Sequence, residues 1–418
     1  MREPTQGEPA LMERRGFLLA NLTLGHAVAH FYQRGFLVLL PKIVSDLGLS
    51  GVGVGSLDTV RHLTSFSIEV PGGFVVDMLR RRWRLVFAGC MGLIAVAWAV
   101  TGTVPSLPFL LGAMVLISLP GTIWHLPAMA ALSRRFPERR GMAISVHGLG
   151  GNLGNVVGPL VAGALLGFLL LTWRQVAFLY ALPPLIVALL FWVSLRSLGG
   201  DSVVEEKGLG NRLRDALGLL KSGTVLRLVS VAMLRAIGFN AISWWTPIYL
   251  SDELRLGDAT VGFYVALLTA LGMVALPFMG TLSDRFGRKA VLVPGLIAMS
   301  VLSSLLVSVG AGLGLTIVIG AMGLFSYSLN QVIRAAVLDL APRGSEATSY
   351  GLIFGLTQPI IAVSSILGGA MKDWWGIEFV FYYATVVVAL SALVLIISPL
   401  PKPGTPAPTP TLNNAPRE

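Results

Sequence analysis

The chain has 418 residues and a mass of 44.4 kDa, with 54% hydrophobic and only 12% charged residues, and a mean hydropathy of +0.76. Soluble globular chains carry about 25% charged residues, so a water-soluble body is excluded, and the lone Cys90 excludes a secreted disulfide scaffold. The net charge of +10 is spread between apolar segments rather than gathered into a basic domain, which argues against a nucleic-acid partner and for a polytopic protein of the lipid bilayer.

A helix crosses the hydrocarbon with about 20 mostly apolar residues. Apolar stretches bounded by charges or Pro/Gly breaks fall at 15–41, 51–78, 84–104, 107–133, 141–171, 174–197, 225–250, 258–283, 289–310, 312–338, 347–371 and 376–399. The first follows Glu13, Arg14 and Arg15 as a signal peptide would, but it is too long and contains Asn21, His26, His30 and Arg34. The expected fold is therefore an all-α membrane protein of twelve spans. Residues 1–197 form one six-helix bundle and 225–399 a second. The connection 198–224 holds a short amphipathic helix at 208–221, and the Pro-rich tail 400–418 is expected to be disordered.

Basic residues orient the chain. With both termini cytoplasmic, 23 of the 31 Lys and Arg fall on the cytoplasmic side, 4 on the outer side and 4 within spans. The expected location is the cell inner membrane.

The second and eighth spans end alike. Gly73-Phe-Val-Val-Asp77 is followed by Arg81 and Arg82, and Gly280-Thr-Leu-Ser-Asp284 by Arg288 and Lys289. The aspartates stand 207 residues apart, nearly half the chain, so the two bundles read as parallel repeats.

Gly280–Lys289 matches the G-x-L-x-D-R-x-G-R-K loop of the major facilitator superfamily, Arg285 included, and the chain resembles that family throughout. In the first copy Met78 and Arg80 replace the usual arginine and glycine. The resemblance implies two six-helix bundles opening alternately to either side of a central cavity. It makes Gly73, Asp77, Arg81, Gly280, Asp284, Arg285 and Arg288 gating residues at the cytoplasmic ends. A narrower resemblance rests on Gly25-His26 with Tyr32-Gln33, on Trp124-His125-Leu126-Pro127, and on the glycine-rich run Gly150–Leu160. It points to the fosmidomycin-resistance branch, proton-driven exporters of drugs and organic anions, although His30 stands where that branch tends to have an acid. The fifth span also resembles an antiporter signature, with Ala162 at one glycine position. Gly150, Gly154, Gly158 and Pro159 equally read as a helix-packing strip, because glycines four apart let two helices approach closely.

Ionisable groups inside spans are costly and are functional candidates by default. Counted from the turn of the first hairpin, Arg34 and Asp58 share one depth, His30 and His62 another, while His26 and Glu69 lie near mid-membrane. Arg34 and Asp58 either pair with each other or face the cavity. Glu69, Asp58 and His62 are the proton-coupling candidates. All five histidines lie in the first half; they either carry protons or bind an anion, or they are hydrogen-bonded helix contacts. The resembled family lines its cavity with spans one, four, seven and ten. That places His26, His30, His125, Arg235, Trp244, Tyr327 and Asn330 around a substrate site. Arginines outnumber carboxylates within the spans, which favours an anionic substrate.

No Walker motif is present, so an ion gradient supplies the energy. Proton-coupled export of a small organic anion or amphiphilic drug-like compound is the first reading, and uptake by proton symport the second. His26 and His30 are spaced like two zinc ligands on one helix. Ala27 replaces the glutamate of H-E-x-x-H, so the chain reads as neither an enzyme nor a metal or cofactor protein, and as a monomer.

Overall fold

The protein, seen in a computed structural model, is described over residues 15–78, 82–195, 223–339 and 355–398. The described residues form twelve long helices. They are α1 (Arg15–Leu47), α2 (Gly51–Met78), α3 (Trp83–Thr101), α4 (Leu107–Arg135), α5 (Arg140–Gly167) and α6 (Trp173–Ser194), then α7 (Gly223–Ile248), α8 (Asp258–Phe286), α9 (Arg288–Leu306), α10 (Leu313–Asp339), α11 (Thr357–Trp375) and α12 (Glu378–Ile397). Order and number agree with the expected spans. The expected amphipathic helix at 208–221 and the tail lie outside the described residues. Among the described residues nine helices are long and apolar enough to cross a membrane by length and composition, and α1, α2 and α11 are not among them. Polar residues such as His26, His30, Arg34, Asp58, Arg61 and His62 dilute the first two.

The outer surface explains the composition. Large apolar side chains point outward, Phe278 at 70% exposure among them. In water such a surface would be untenable, so lipid is the solvent of this face. Trp374 and Trp375 stand exposed at the end of α11, where amphipathic rings suit the headgroup region.

Several ends are written locally. Thr172 caps α6: the Gln175 amide donates to Thr172 Oγ1 at 3.3 Å while the Thr172 amide donates to Gln175 Oε1 at 2.9 Å. The break between α8 and α9 is the single residue Gly287, whose φ of +96° disfavours any other residue.

Within the first half α1 packs on α5, α3 on α4 and α6, and α2 on α4; within the second α10 packs on α8 and α9, and α12 on α7 and α9. The halves meet through α2 against α11 and α5 against α8. Advancing each number by six exchanges these two contacts, the signature of a twofold-related duplication. Both contacts lie at the face away from the termini, here called the distal face, and both are backbone-tight. A Cβ added to Gly262 would lie 2.9 Å from the Gly163 Cα, and one on Gly369 would lie 2.9 Å from the Val52 Cα. Lys42 reaches Asp258 across the same face at 3.2 Å. Asp373, on α11, accepts from the Gly51 amide at 2.5 Å and the Val52 amide at 2.9 Å, capping α2 from the opposite half.

Candidate substrate pathway and interface

Glycine spacing on α5 sets the position of α1. A Cβ on Gly150 would meet Thr23, one on Gly154 would meet Ala27 and Phe31, and one on Gly158 would meet Phe31. The two helices therefore approach backbone to backbone, and this brings the α1 histidines against α5. Pro159 contributes its carbonyl to the contact with Gly262 of α8.

Four of the five histidines meet there. The His26 ring lies 4.6 Å from His30, 5.0 Å from His125 and 4.2 Å from His147, measured between centroids, and it is stacked on His147. His30 and His125 are 5.6 Å apart. His26 Nδ1 bonds the His147 carbonyl at 2.8 Å, and His30 Nδ1 bonds Asn155 Oδ1 at 3.1 Å. Both partners are oxygens that accept, so the ring protons sit on Nδ1 and each Nε2 keeps its lone pair. Gly151 makes room for the His26 ring, since a Cβ there would stand 2.6 Å from its Cε1.

Across the centre, Arg235 on α7 is buried at 7% exposure. It donates to the Ser326 carbonyl and lies over the Phe239 ring, 4.7 Å from its centroid. Among the described residues no carboxylate pairs with it. Tyr327 accepts a hydrogen bond from Arg34 of the first half, and the Arg34 guanidinium is 5.5 Å from the Tyr327 ring centroid. Asn330 is half-buried on the same helix, α10. Trp244 is turned into the contact between halves: its Nε1 donates to the Val54 carbonyl at 3.3 Å and Arg61 lies 5.4 Å from its ring.

The equal-depth pairing of Arg34 with Asp58 is corrected by the structure. Asp58, fully buried, takes its cation from its own helix, with Arg61 NH2 at 2.5 Å, and accepts from Asn240 Nδ2 at 2.5 Å and Ser365 Oγ at 2.5 Å across the interface. His62 joins the same network through Gln358 Oε1 at 2.6 Å and Asn240 Oδ1 at 3.1 Å. Depth along a hairpin sets height and not rotation; α2 turns Asp58 toward α7 and α11, while α1 turns Arg34 toward α10. Asn240, Gln358 and Ser365 escaped the sequence reading, and Arg61 entered it only as one of the basic residues within spans. Asn240 stands alone among apolar neighbours, which was the available signal; Arg61, Gln358 and Ser365 sit beside other polar residues and carried none.

At the termini face, Arg288 donates to Asp284 Oδ1 at 2.5 Å, to Ser283 Oγ at 3.0 Å and to Asp339 Oδ2 at 3.0 Å. Asp339 of α10 is thereby joined to the loop motif. Lys289 Nζ donates to the Ile396 carbonyl at 2.5 Å and the Ser398 carbonyl at 3.2 Å. The motif therefore ties the ends of α8, α10 and α12 within one half. Arg285 lies beside the Phe286 ring at 5.3 Å and Gly280 faces open space. The side chains of Glu69 and Asp77, the surroundings of Gly73, and Arg81 fall outside the described residues.

A lipid-facing shell of two related halves, joined at one end around a buried polar centre, is the architecture of an integral membrane transporter. The sequence matches the profile of the Major Facilitator Superfamily over residues 22–276 and 228–417, and the chain belongs to that family. It is 26% identical to the transcription regulatory protein OpdE of Pseudomonas aeruginosa over 374 residues, covering 86% of this chain and 88% of that protein. It is 22% identical over 395 residues to the fosmidomycin resistance protein of Escherichia coli, covering 91% and 92% of the two chains. The fold is also that of a bacterial homologue of the human lysosomal transporter Spinster in an inward-facing, unoccupied conformation, with a TM-score of 0.78, 16% identity, and 94% and 98% of the two chains covered.

Proposed function

We propose that the protein exports a small organic anion, or an amphiphile bearing an anionic group, in exchange for protons by alternating access in the cell inner membrane. Both termini then face the cytoplasm and the distal face is the outer gate. The observation that carries this reading is Arg235. A buried guanidinium is expensive to keep without a counter-ion, and none of the described carboxylates serves it. One NH2 hydrogen goes to the Ser326 carbonyl; the remaining donors can take a carboxylate, phosphonate or sulfonate. Tyr327 and Asn330 on α10 stand on the same wall, and His26, His30 and His125 on the opposite one. Similarity to the fosmidomycin resistance protein supports export over uptake.

Asp58, His62 and Glu69 supply the proton sites. Asp58 bonds residues of both halves, so gaining or losing its charge changes the contacts that hold the outer gate shut. Asp77 and Asp284 guard the opposite gate. Asp284 bonds Arg288 of its own half here, an arrangement that fits an inward-open state. The test is a panel of anionic compounds presented to proteoliposomes under an imposed pH gradient. Antiport predicts accumulation on the acidic side that collapses with a protonophore; accumulation toward the alkaline side would establish uptake instead.

A further inference from the structure

We infer that His26, His30 and His125 form a binding site for a divalent transition-metal cation of the Zn2+, Ni2+ or Co2+ kind. One ring nitrogen from each of the three lies within 4.8 Å of the others. They come from two helices, α1 and α4, that α5 and its glycine strip hold in register. A tetrahedral site with metal–nitrogen bonds of about 2.1 Å needs nitrogens about 3.4 Å apart. Rotation of the half-buried His30 and His125 rings by about 1.4 Å at their tips closes that difference.

Three features point to a metal rather than to packing. First, the Nδ1 protons of His26 and His30 are both committed to oxygen acceptors, the His147 carbonyl and Asn155 Oδ1. This is the outer-sphere arrangement that fixes the tautomer and raises the basicity of a ligating imidazole. Second, His26 is 9% exposed and its Nε2 is buried without a hydrogen-bond partner. A buried lone pair left unmatched is costly unless something fills it. Third, an all-imidazole donor set favours these cations over Mg2+ or Ca2+, which demand oxygen. Three protein ligands leave a fourth position for water, the pattern of an exchangeable rather than a closed site.

The inference stands apart from the anion reading, because it is read by metal binding with no substrate present. Full-length protein in lipid nanodiscs is titrated with Co2+, whose four-coordinate complexes absorb strongly in the visible. The expected result is one saturable equivalent with that absorption, displaced by Zn2+. His30→Gln and His125→Gln should each weaken binding at least about 100-fold, and Asn155→Leu, which removes only the outer-sphere acceptor, about 10–100-fold. His147→Gln keeps the backbone carbonyl and should bind like the parent. Where His26→Gln does not fold, the half-buried His125→Gln carries the test, with size-exclusion behaviour as the check on folding. Absence of saturable Co2+ binding by the parent, or parent-like binding by the folded His125→Gln and His30→Gln variants, overturns the proposal.

Discussion

Helices α2 and α8 occupy equivalent places in the two halves, and the aspartates that end them mark a shift of 207 residues. By that shift Asp58 falls on Val265, His62 on Thr269 and Glu69 on Leu276. The first half bears Asp58, Glu69 and all five histidines, with His125 on α4 and His147 on α5; the matching positions of α8 carry neither acid nor imidazole. The reverse holds for the buried guanidinium, since Arg235 belongs to the second half. Duplication thus preserved backbone contacts, the glycine-tight pairs of α2 with α11 and α5 with α8, while the chemistry separated. In the function proposed above, the proton-handling candidates lie on one wall and Arg235 on the other. Such walls, moving relative to each other, would couple a proton on one to an anion on the other.

The most severe break of that division is Glu69→Gln, which fixes the mid-membrane group in its protonated form. Substrate exchange across the membrane should persist while accumulation driven by a pH gradient disappears; retained gradient-driven transport would move the coupling site elsewhere. Next comes the opposite wall. Arg235→Ala should weaken substrate binding about 100-fold and Arg235→Lys about tenfold, since lysine keeps charge but loses the fork. Calorimetry on an identified substrate measures both, and unchanged affinity in each would return Arg235 to packing. Asp58→Asn keeps the side chain's size at the distal contact but removes its charge and turns one acceptor oxygen into a donor facing the donors of Arg61, Asn240 and Ser365. It should raise the outward-open population about tenfold, the scale of losing charge assistance in one or two bonds. Labelling of a cysteine placed at the distal face reports this, and an unaltered labelling rate would show that the charge does not hold the gate. The smallest effect belongs to Asp284→Asn. Its bond to Arg288 is exposed, and such pairs contribute about 0–1 kcal/mol, so in the same labelling assay the gate balance should move away from inward-open by no more than a few-fold.

Much of the architecture was legible because membrane crossing demands long apolar helices and leaves strong breaks between them. All twelve helices, and the motif at Gly280–Lys289, follow from that signal. The gathering of His26, His30 and His125 followed less directly, from which helices line a cavity. Rotation about each helix axis was not legible. Hence Asp58 turned to Arg61 and Asn240, Arg34 to Tyr327, and Trp244 to the seam between halves. Nor did the sequence mark Asn155 or the His147 carbonyl as partners, because both lie on α5 and reach α1 only through the glycine strip.

The cap on α2 has a consequence for energetics. Its first amides, at Gly51 and Val52, are satisfied by Asp373 of the other half. Parting the halves at the distal face strips that carboxylate from the helix end and hands the amides to water, a loss of about 1 kcal/mol for a helix start. The resting closure is therefore spring-loaded by secondary structure itself: one bundle completes the other's hydrogen bonding only while they touch. Amide exchange at Gly51 and Val52 should accordingly act as a clock for the transport cycle, slow while the gate rests and quickening with each turnover.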